Sequence, residues 1–386
     1  MWTLATGLFV VAYGTNVSTP FLVLYKDRLG LGSSETMAIF AVYVVGILGT
    51  LLVAGPLSDR FGRRPVVLPM VLLSALGSAF MIAGRDEFGL LLAGRFLLGI
   101  ASGGALGVGA AWLQEVLGPG KEQRAAVMTT VVTFAGFGVG PPISALFYWL
   151  FPAPLVLPFL LHIAVTLVTF VLLLPQPETH RASPGAKIRI SLGVPRSARR
   201  SFSLVIVPAA VWVFAFPSSG FALFPVLISD SIDGGEVAVA AVAGALTAWA
   251  GLAARPLVTR VGPRVALPIG MVMGTTGYVC GTMAFAFGVW PLVLVASPLL
   301  GGASGAITAG CLTLLGGMAD KERRGALTST FYLLAYPGMA LPLFITTLAA
   351  DTSMTSALIL VTATGSLSTV FVAALAGSGP VSVGAH

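Results

Sequence analysis

The sequence predicts an all-α membrane protein of twelve transmembrane helices arranged in two pseudo-symmetric six-helix bundles. Three observations predict it: a composition too apolar for a soluble fold, twelve apolar runs of membrane-spanning length, and a repeat that lays the first half of the chain on the second. Hydrophobic residues make up 56% of the 386 residues and charged residues 9%, against about 25% charged in a soluble domain.

A helix needs roughly 20 apolar residues to cross a bilayer. Such runs fall at 3–25, 37–57, 65–84, 89–113, 124–149, 154–174, 203–229, 236–258, 265–287, 290–317, 325–348 and 355–376. Backbone groups in lipid must bond internally, so these runs read as helices. Barrel strands would be shorter and alternate in polarity. The first run ends at Tyr25-Lys26-Asp27-Arg28, not at a small-residue cleavage site. It therefore reads as a retained helix and not as a secretory signal. The stretch 175–202 is rich in Arg, Ser and Pro and reads as a linker. This divides the chain into bundles at 1–174 and 203–386.

Loop charges orient the chain. With the linker placed in the cytoplasm, seventeen Lys and Arg residues fall on its side. Three, Lys26, Arg28 and Arg85, fall on the other, and Arg95 lies inside a span. This is the positive-inside pattern, and it puts both termini in the cytoplasm. The net charge of +7 is thus a sign of membrane orientation and not of nucleic-acid binding.

The halves repeat. Pro56-Leu57-Ser58-Asp59-Arg60-Phe61-Gly62-Arg63-Arg64 aligns with Pro256-Leu257-Val258-Thr259-Arg260-Val261-Gly262-Pro263-Arg264 at a shift of 200. The same shift lays Lys121-Glu122-Gln123-Arg124 on Lys321-Glu322-Arg323-Arg324, and nearly the same shift lays Leu98–Gly103 on Leu300–Gly305. Many secondary transporters are built by such duplication, with the substrate site at the repeat interface.

Other chemistries find no footing. Cys280 and Cys311 both sit in apolar runs, and His162, His180 and His386 are far apart, so neither a disulfide framework nor a metal site is expected. No nucleophile–acid–base constellation points to an enzyme, no phosphate loop to ATP hydrolysis, and no charged ring or filter to a channel.

The loop Gly55-Pro56-Leu57-Ser58-Asp59-Arg60-Phe61-Gly62-Arg63-Arg64, between spans two and three, resembles the Gly-x-x-x-Asp-Arg-x-Gly-Arg-Arg signature of the major facilitator superfamily at every fixed position. Gly62 permits the tight reversal through positive φ. Asp59 is placed to bind backbone N–H groups at a neighbouring helix start. Arg63 and Arg64 offer forked donors for carboxylates, with Glu115 at the end of span four the expected partner of Arg63. The resemblance implies that Gly55, Asp59, Arg60, Gly62, Arg63, Arg64 and Glu115 form a latch on the outward-facing state. In the second copy Thr259 replaces Asp59, which implies a weaker latch there.

Arg95 with Gly99 resembles the family's Arg-x-x-x-Gly pattern in span four, which implies proton coupling. A charge there costs about 2.5–3.5 kcal/mol on insertion scales, and the bland alternative is snorkelling to the nearer interface. Gly136-x-x-x-Gly140-Pro141 in span five resembles the signature of drug–proton antiporters, although Ser144 and Ala145 stand where a glycine pair is usual. The spans offer no mid-membrane carboxylate, so Asp27, at the outer end of span one, and His162 are the remaining coupling candidates. Span six, which carries His162, resembles a peripheral helix of the family.

Tyr13 and Asn16 in span one, Trp212 and Phe216 in span seven, Trp249 in span eight, and Tyr332 and Tyr336 in span eleven suggest an aromatic, weakly polar cavity suited to lipophilic compounds. The reading is a secondary active transporter that works by alternating access. Its expected activity is proton-coupled efflux of a drug-like compound or secreted metabolite. A sugar or metabolite importer or facilitator is the alternative, and a channel or sensor the alternative of another class. Expected partners are a lipophilic small molecule, protons and membrane lipid, with no cofactor, metal or nucleic acid, and the chain is expected to act as a monomer. Seventeen Arg against four Lys, with abundant Ala, Gly and Val, suggest a GC-rich bacterial genome and hence a bacterial inner membrane.

Overall fold

The computed structural model describes residues 1–180, 193–318 and 324–377. The linker segment 181–192 and the repeat residues Lys321, Glu322 and Arg323 lie outside them. The regular elements among the described residues are all helices, without strands. Ten helical stretches among them are long and apolar enough to cross a membrane: Ser33–Phe61, Arg64–Asp86, Phe88–Leu117, Glu122–Leu150, Arg199–Leu227, Glu236–Val261, Pro263–Phe287, Pro291–Met318, Gly325–Asp351 and Met354–Leu375. These are spans two to five and seven to twelve. Span six is the shorter Leu157–Leu173.

Span one, expected as one rod, is two helices, Trp2–Asn16 and Leu22–Leu29. Pro20 has no N–H to give, and the turn around it tightens. Thr19 donates to the Asn16 carbonyl at 3.2 Å and Phe21 to the Ser18 carbonyl at 3.1 Å. These are i→i−3 bonds, so the carbonyls of Thr15 and Val17 lose the helical donors that a continuous rod would supply.

The contacts divide the chain into two compact units, Met1–Ile190 with Val237–Ala245, and Ser191–Glu236 with Leu246–His386. In the first unit, spans two and four close on glycine: a Cβ on Gly99 would run into the Tyr43 carbonyl oxygen, and one on Gly103 would lie 2.9 Å from that of Ile47. In the second, spans eight and ten repeat the device, with Gly301 against the Thr247 carbonyl and Gly305 against that of Gly251. Gly136 seats span five on Phe9 of span one as Gly338 seats span eleven on Val211 of span seven. The duplication therefore extends to backbone contacts where only hydrogen fits.

Apolar side chains also face outward. Leu367 is 71% and Val370 69% exposed on the last span, a surface that requires lipid as its solvent.

Candidate functional site

A polar cluster gathers where spans two and three meet. Span two ends at Phe61, and Gly62 reverses the chain at φ +103°. Arg63 then directs its guanidinium into three acceptors. Nη1 reaches Asp59 Oδ1 at 2.6 Å and Ser58 Oγ at 2.5 Å, while Nε and Nη2 fork onto Glu115 Oε1 at 3.1 and 2.9 Å. Burial works against the Arg63 charge, but the bonds to Glu115 and Asp59 outweigh it and hold its pKa above the ordinary arginine value. Asp59 does not bind a helix start, as its position suggested. Its carboxylate takes Arg63, and the free N–H groups of span three go elsewhere.

Their acceptor is Glu178. Its carboxylate receives the Arg63 N–H at 3.0 Å and the Arg64 N–H at 2.9 Å, the bonds a helix start requires. Burial raises the Glu178 pKa, but the N–H groups of His180, Arg63, Arg64 and Thr179 more than offset it and hold the carboxyl below the usual range. Gly62 makes the seat, since a Cβ there would lie 2.5 Å from Glu178 Oε2. The neighbours of Glu178 extend the strap. Trp112 Nε1 donates to the Pro177 carbonyl at 3.0 Å, Thr179 donates to Glu115 at 2.5 Å, and His180 Nε2 donates to the Asp59 carbonyl at 3.1 Å. Sequence reasoning missed this strap. Its signal was a run of hydrogen-bonding residues straight after span six, facing a helix start that lacked an acceptor. Arg64 joins through its backbone, Arg60 lies over the Phe61 ring at 5.1 Å, and Gly55 has open space beside it.

A second polar centre surrounds Arg95, which is 1% exposed. It does not snorkel. Its Nη1 donates to the Thr15 carbonyl at 2.6 Å and to Ser18 Oγ at 3.3 Å, and its Nε donates to the Ile39 carbonyl at 3.2 Å. The rings of Tyr43 and Phe40 lie 5.0 and 5.5 Å from the guanidinium. Arg95 thus serves the carbonyl that the break in span one releases. Ser144 serves the other, donating to the Val17 carbonyl at 2.6 Å. Asp27 is exposed near the end of Leu22–Leu29 and is not among the partners of Arg95.

His162 is fully buried, while Leu167, Val168 and Val171 of the same span are exposed. Ser78 Oγ lies 2.7 Å from Nδ1 and Thr166 Oγ1 3.1 Å from Nε2, and its ring meets Tyr13 edge-on at 5.6 Å. A Cβ on Gly14 would collide with the imidazole, so the residue fills a notch in span one. Tyr13 and Asn16 turn to different neighbours. Asn16 Nδ2 reaches the Phe137 carbonyl at 3.2 Å, beside Gly136 and Gly140, which pack on span one, and the buried Pro141.

In the second unit Trp212 and Phe216 stack at 4.9 Å and are buried. Phe216 fills a notch at Gly274 of span nine. Trp249 is 44% exposed. Tyr332 and Tyr336 are half-buried, 6.0 Å apart. Among the described residues, no group of His, Cys, Asp and Glu could hold a metal ion.

A twelve-span helical membrane fold, built by duplication and carrying a charged reversal after span two, defines a class, and comparison with known proteins agrees. The family model of the Major Facilitator Superfamily matches residues 4–235, and the chain belongs to that family. Among curated proteins it is similar to the multidrug resistance protein MdtL of Shewanella oneidensis, at 36% identity over 174 residues, 44% of this chain and 43% of that one. It is also similar to the bacillibactin exporter of Bacillus subtilis, at 30% over 152 residues, 37% of this chain and 38% of that one. These matches span less than half the length of either relative. The fold matches a solved POT family transporter in complex with 5-aminolevulinic acid at TM-score 0.80 and 13% identity, over 97% of this chain and 94% of that one. It matches human organic anion transporter MFSD10 (TETRAN) at 0.65 and 17%, over 96% and 98%. At such identity the likeness concerns the fold alone.

Proposed function

We propose that this chain is a proton-coupled exporter of lipophilic small molecules, working by alternating access in the inner membrane of a bacterium, with both termini in the cytoplasm. The observation that carries the export direction is the similarity to proteins named for multidrug resistance and siderophore export, together with Gly136-x-x-x-Gly140-Pro141 seated on the broken first span. The Arg63–Asp59–Glu115 cluster supports a latch on the side where the termini lie. Holding three helix ends by charge-assisted bonds makes one state persist until that cluster opens. Arg95 supports coupling as the buried cation that joins the break of span one to span two.

Flux into proteoliposomes under an imposed pH gradient tests the reading, using a panel of neutral, cationic and anionic lipophilic compounds. Gradient-dependent transport of any member is expected. Flux that ignores the gradient would make the chain a facilitator, and a compound-independent ion current would make it a channel. Asp59→Asn is expected to cut transport sharply at unchanged expression, and undiminished flux would remove the latch. Arg95→Ala is expected to abolish the dependence on pH, so export that still follows the gradient would remove Arg95 from coupling.

A further inference from the structure

A proton that drives export needs a side chain inside the membrane that takes it up and gives it back. Arg95 does not qualify, because a guanidinium keeps its proton. The eight carboxylates of the first unit are all among the described residues. Each lies within three residues of a helix end or outside the helices. Phenols titrate at about 10. His162 is then the one described side chain in the interior of this unit whose ordinary titration falls near neutral pH.

The seat of His162 suits a proton that comes and goes. Ser78 Oγ stands at Nδ1 and Thr166 Oγ1 at Nε2, both buried. A hydroxyl donates or accepts, so a neutral ring finds a donor on one side and an acceptor on the other, and an imidazolium finds two acceptors. Two more hydroxyls stand close by. Ser74 precedes Ser78 by one turn on the same face, and Tyr13 meets the imidazole edge-on. Ser74 Oγ and Tyr13 Oη are buried with no hydrogen-bond partner among the described residues, which suits them to take water. No charged group of the described residues faces the ring from the helices packed on span six. Tyr13 is the only titratable side chain of Trp2–Asn16, span three has none beyond Arg64 at its start, and span five has none between Arg124 and Tyr148. Packing alone does not ask for an imidazole here. At the 200-residue shift Thr362 stands in its place, meeting Thr282 and donating to the Leu358 carbonyl.

We propose that His162 is the proton-carrying side chain of the first unit and that charging it loosens the break in span one. The inference rests on the proton-coupled export reading and names the group that holds the proton. One proton from the outer water binds the bare ring nitrogen and gives an imidazolium. The same proton leaves the ring for cytoplasmic water after the bundles rock, and no other bond changes. The imidazole fills the notch at Gly14, the residue before Thr15, whose carbonyl accepts from Arg95 Nη1 at 2.6 Å. A charge in this seat is costly while no carboxylate faces it, so the protonated ring draws water and eases out of the notch. The movement falls on Gly14 and Thr15, and so on the bond to Arg95. Neutral His162 favours the packed break and charged His162 the opened one, a two-state element biased by one proton.

Nitrogen-15 NMR of labelled histidine, on the full chain in lipid nanodiscs, tests the seat without any cargo. His180→Gln and His386→Gln identify the signals of the other two histidines. The third signal is expected to switch reversibly from neutral to charged ring as pH moves from about 8 to about 4. A signal fixed in one form over that range overturns the inference. In proteoliposomes, for each compound of the panel that is moved, His162→Gln is expected to keep exchange of labelled for unlabelled compound and to lose gradient-driven accumulation about tenfold or more. Undiminished accumulation overturns the inference and leaves export standing. Flux of the unaltered chain that ignores the gradient, or no flux at all, removes the coupled reading and with it the carrier role, whatever the NMR shows. Where His162→Gln loses exchange as well, or fails to fold, Ser78→Ala decides. It removes one hydrogen bond to the ring and should move the NMR midpoint and the pH profile of transport together, by up to about one pH unit. A midpoint that moves while the profile stays put overturns the inference too.

Discussion

The hydroxyl of Ser144 in span five donates to the carbonyl oxygen of Val17, 2.6 Å away in the break of span one. A glycine at position 144, which the antiporter pattern would have, could not do this. The departure from that pattern is therefore matched to the break, and it divides the rescue of two carbonyls between Ser144 and Arg95. Ser144→Ala leaves the Val17 carbonyl buried without its donor, at a cost of about 1–3 kcal/mol. The melting temperature of the purified protein should fall, and by less in Ser144→Thr, which keeps a hydroxyl. An unaltered melting temperature in the alanine variant would mean that this bond carries no weight.

The break itself was not legible as a run of hydropathy. Residues 3–25 are apolar enough to read as one rod, because Asn16, Ser18 and Thr19 do not interrupt the average. Pro20 was the visible clue, but its consequence depends on which donors nearby can take the released carbonyls, and these come from spans four and five. The Arg63–Glu115 pair was legible because the loop signature fixes Arg63 and Glu115 is an acid at the matching helix end. Glu178 was not, since it lies far along the chain and reaches span three only once span six has folded back. Phe216 and Trp249 looked alike as aromatic residues in spans. Only the notch at Gly274 separates them, and a notch belongs to the packing of two helices.

Glu178 should give the protein a measurable acid sensitivity. Its pKa is lowered in the folded state because backbone N–H groups favour the carboxylate over the burial that opposes it. A depressed folded pKa means the stabilisation is complete above the unfolded value, about 4.3 for Glu, and disappears as pH falls through the lower folded value. Glu178→Gln should thus melt below the unaltered protein near pH 7, and the gap should narrow as pH drops below about 4. A gap of constant size down to pH 3 would show that the carboxylate's charge is not what caps span three.

Phe216 and Trp249 should separate packing from surface. Phe216 is wholly buried in the Gly274 notch, whereas Trp249 is 44% exposed. Truncating a buried aromatic costs about 3–5 kcal/mol, so Phe216→Ala should lower the yield and melting temperature steeply. Trp249→Ala should leave both close to unchanged, within about 0.5 kcal/mol. Chemical unfolding of both variants in the same detergent makes the comparison, and equal losses would contradict the assignment of Phe216 to the core.

Gly62 and Glu178 should behave as one unit. At φ +103° a side chain is strained wherever it points, at about 1–3 kcal/mol, and at Gly62 the new Cβ would also press on the Glu178 carboxylate. Gly62→Ala therefore carries two penalties, backbone strain and loss of the cap on span three. Glu178→Ala alone loses only the cap. In the double variant the cap is already gone and the Cβ has space, so just the strain remains in addition. The combined loss should be smaller than the two single losses added together, by about 0.5–3 kcal/mol, the range for residues in contact. Strictly additive losses in a double-mutant cycle read from unfolding would mean that the carboxylate does not need the glycine, and that strain at the reversal is the sole reason a glycine stands there.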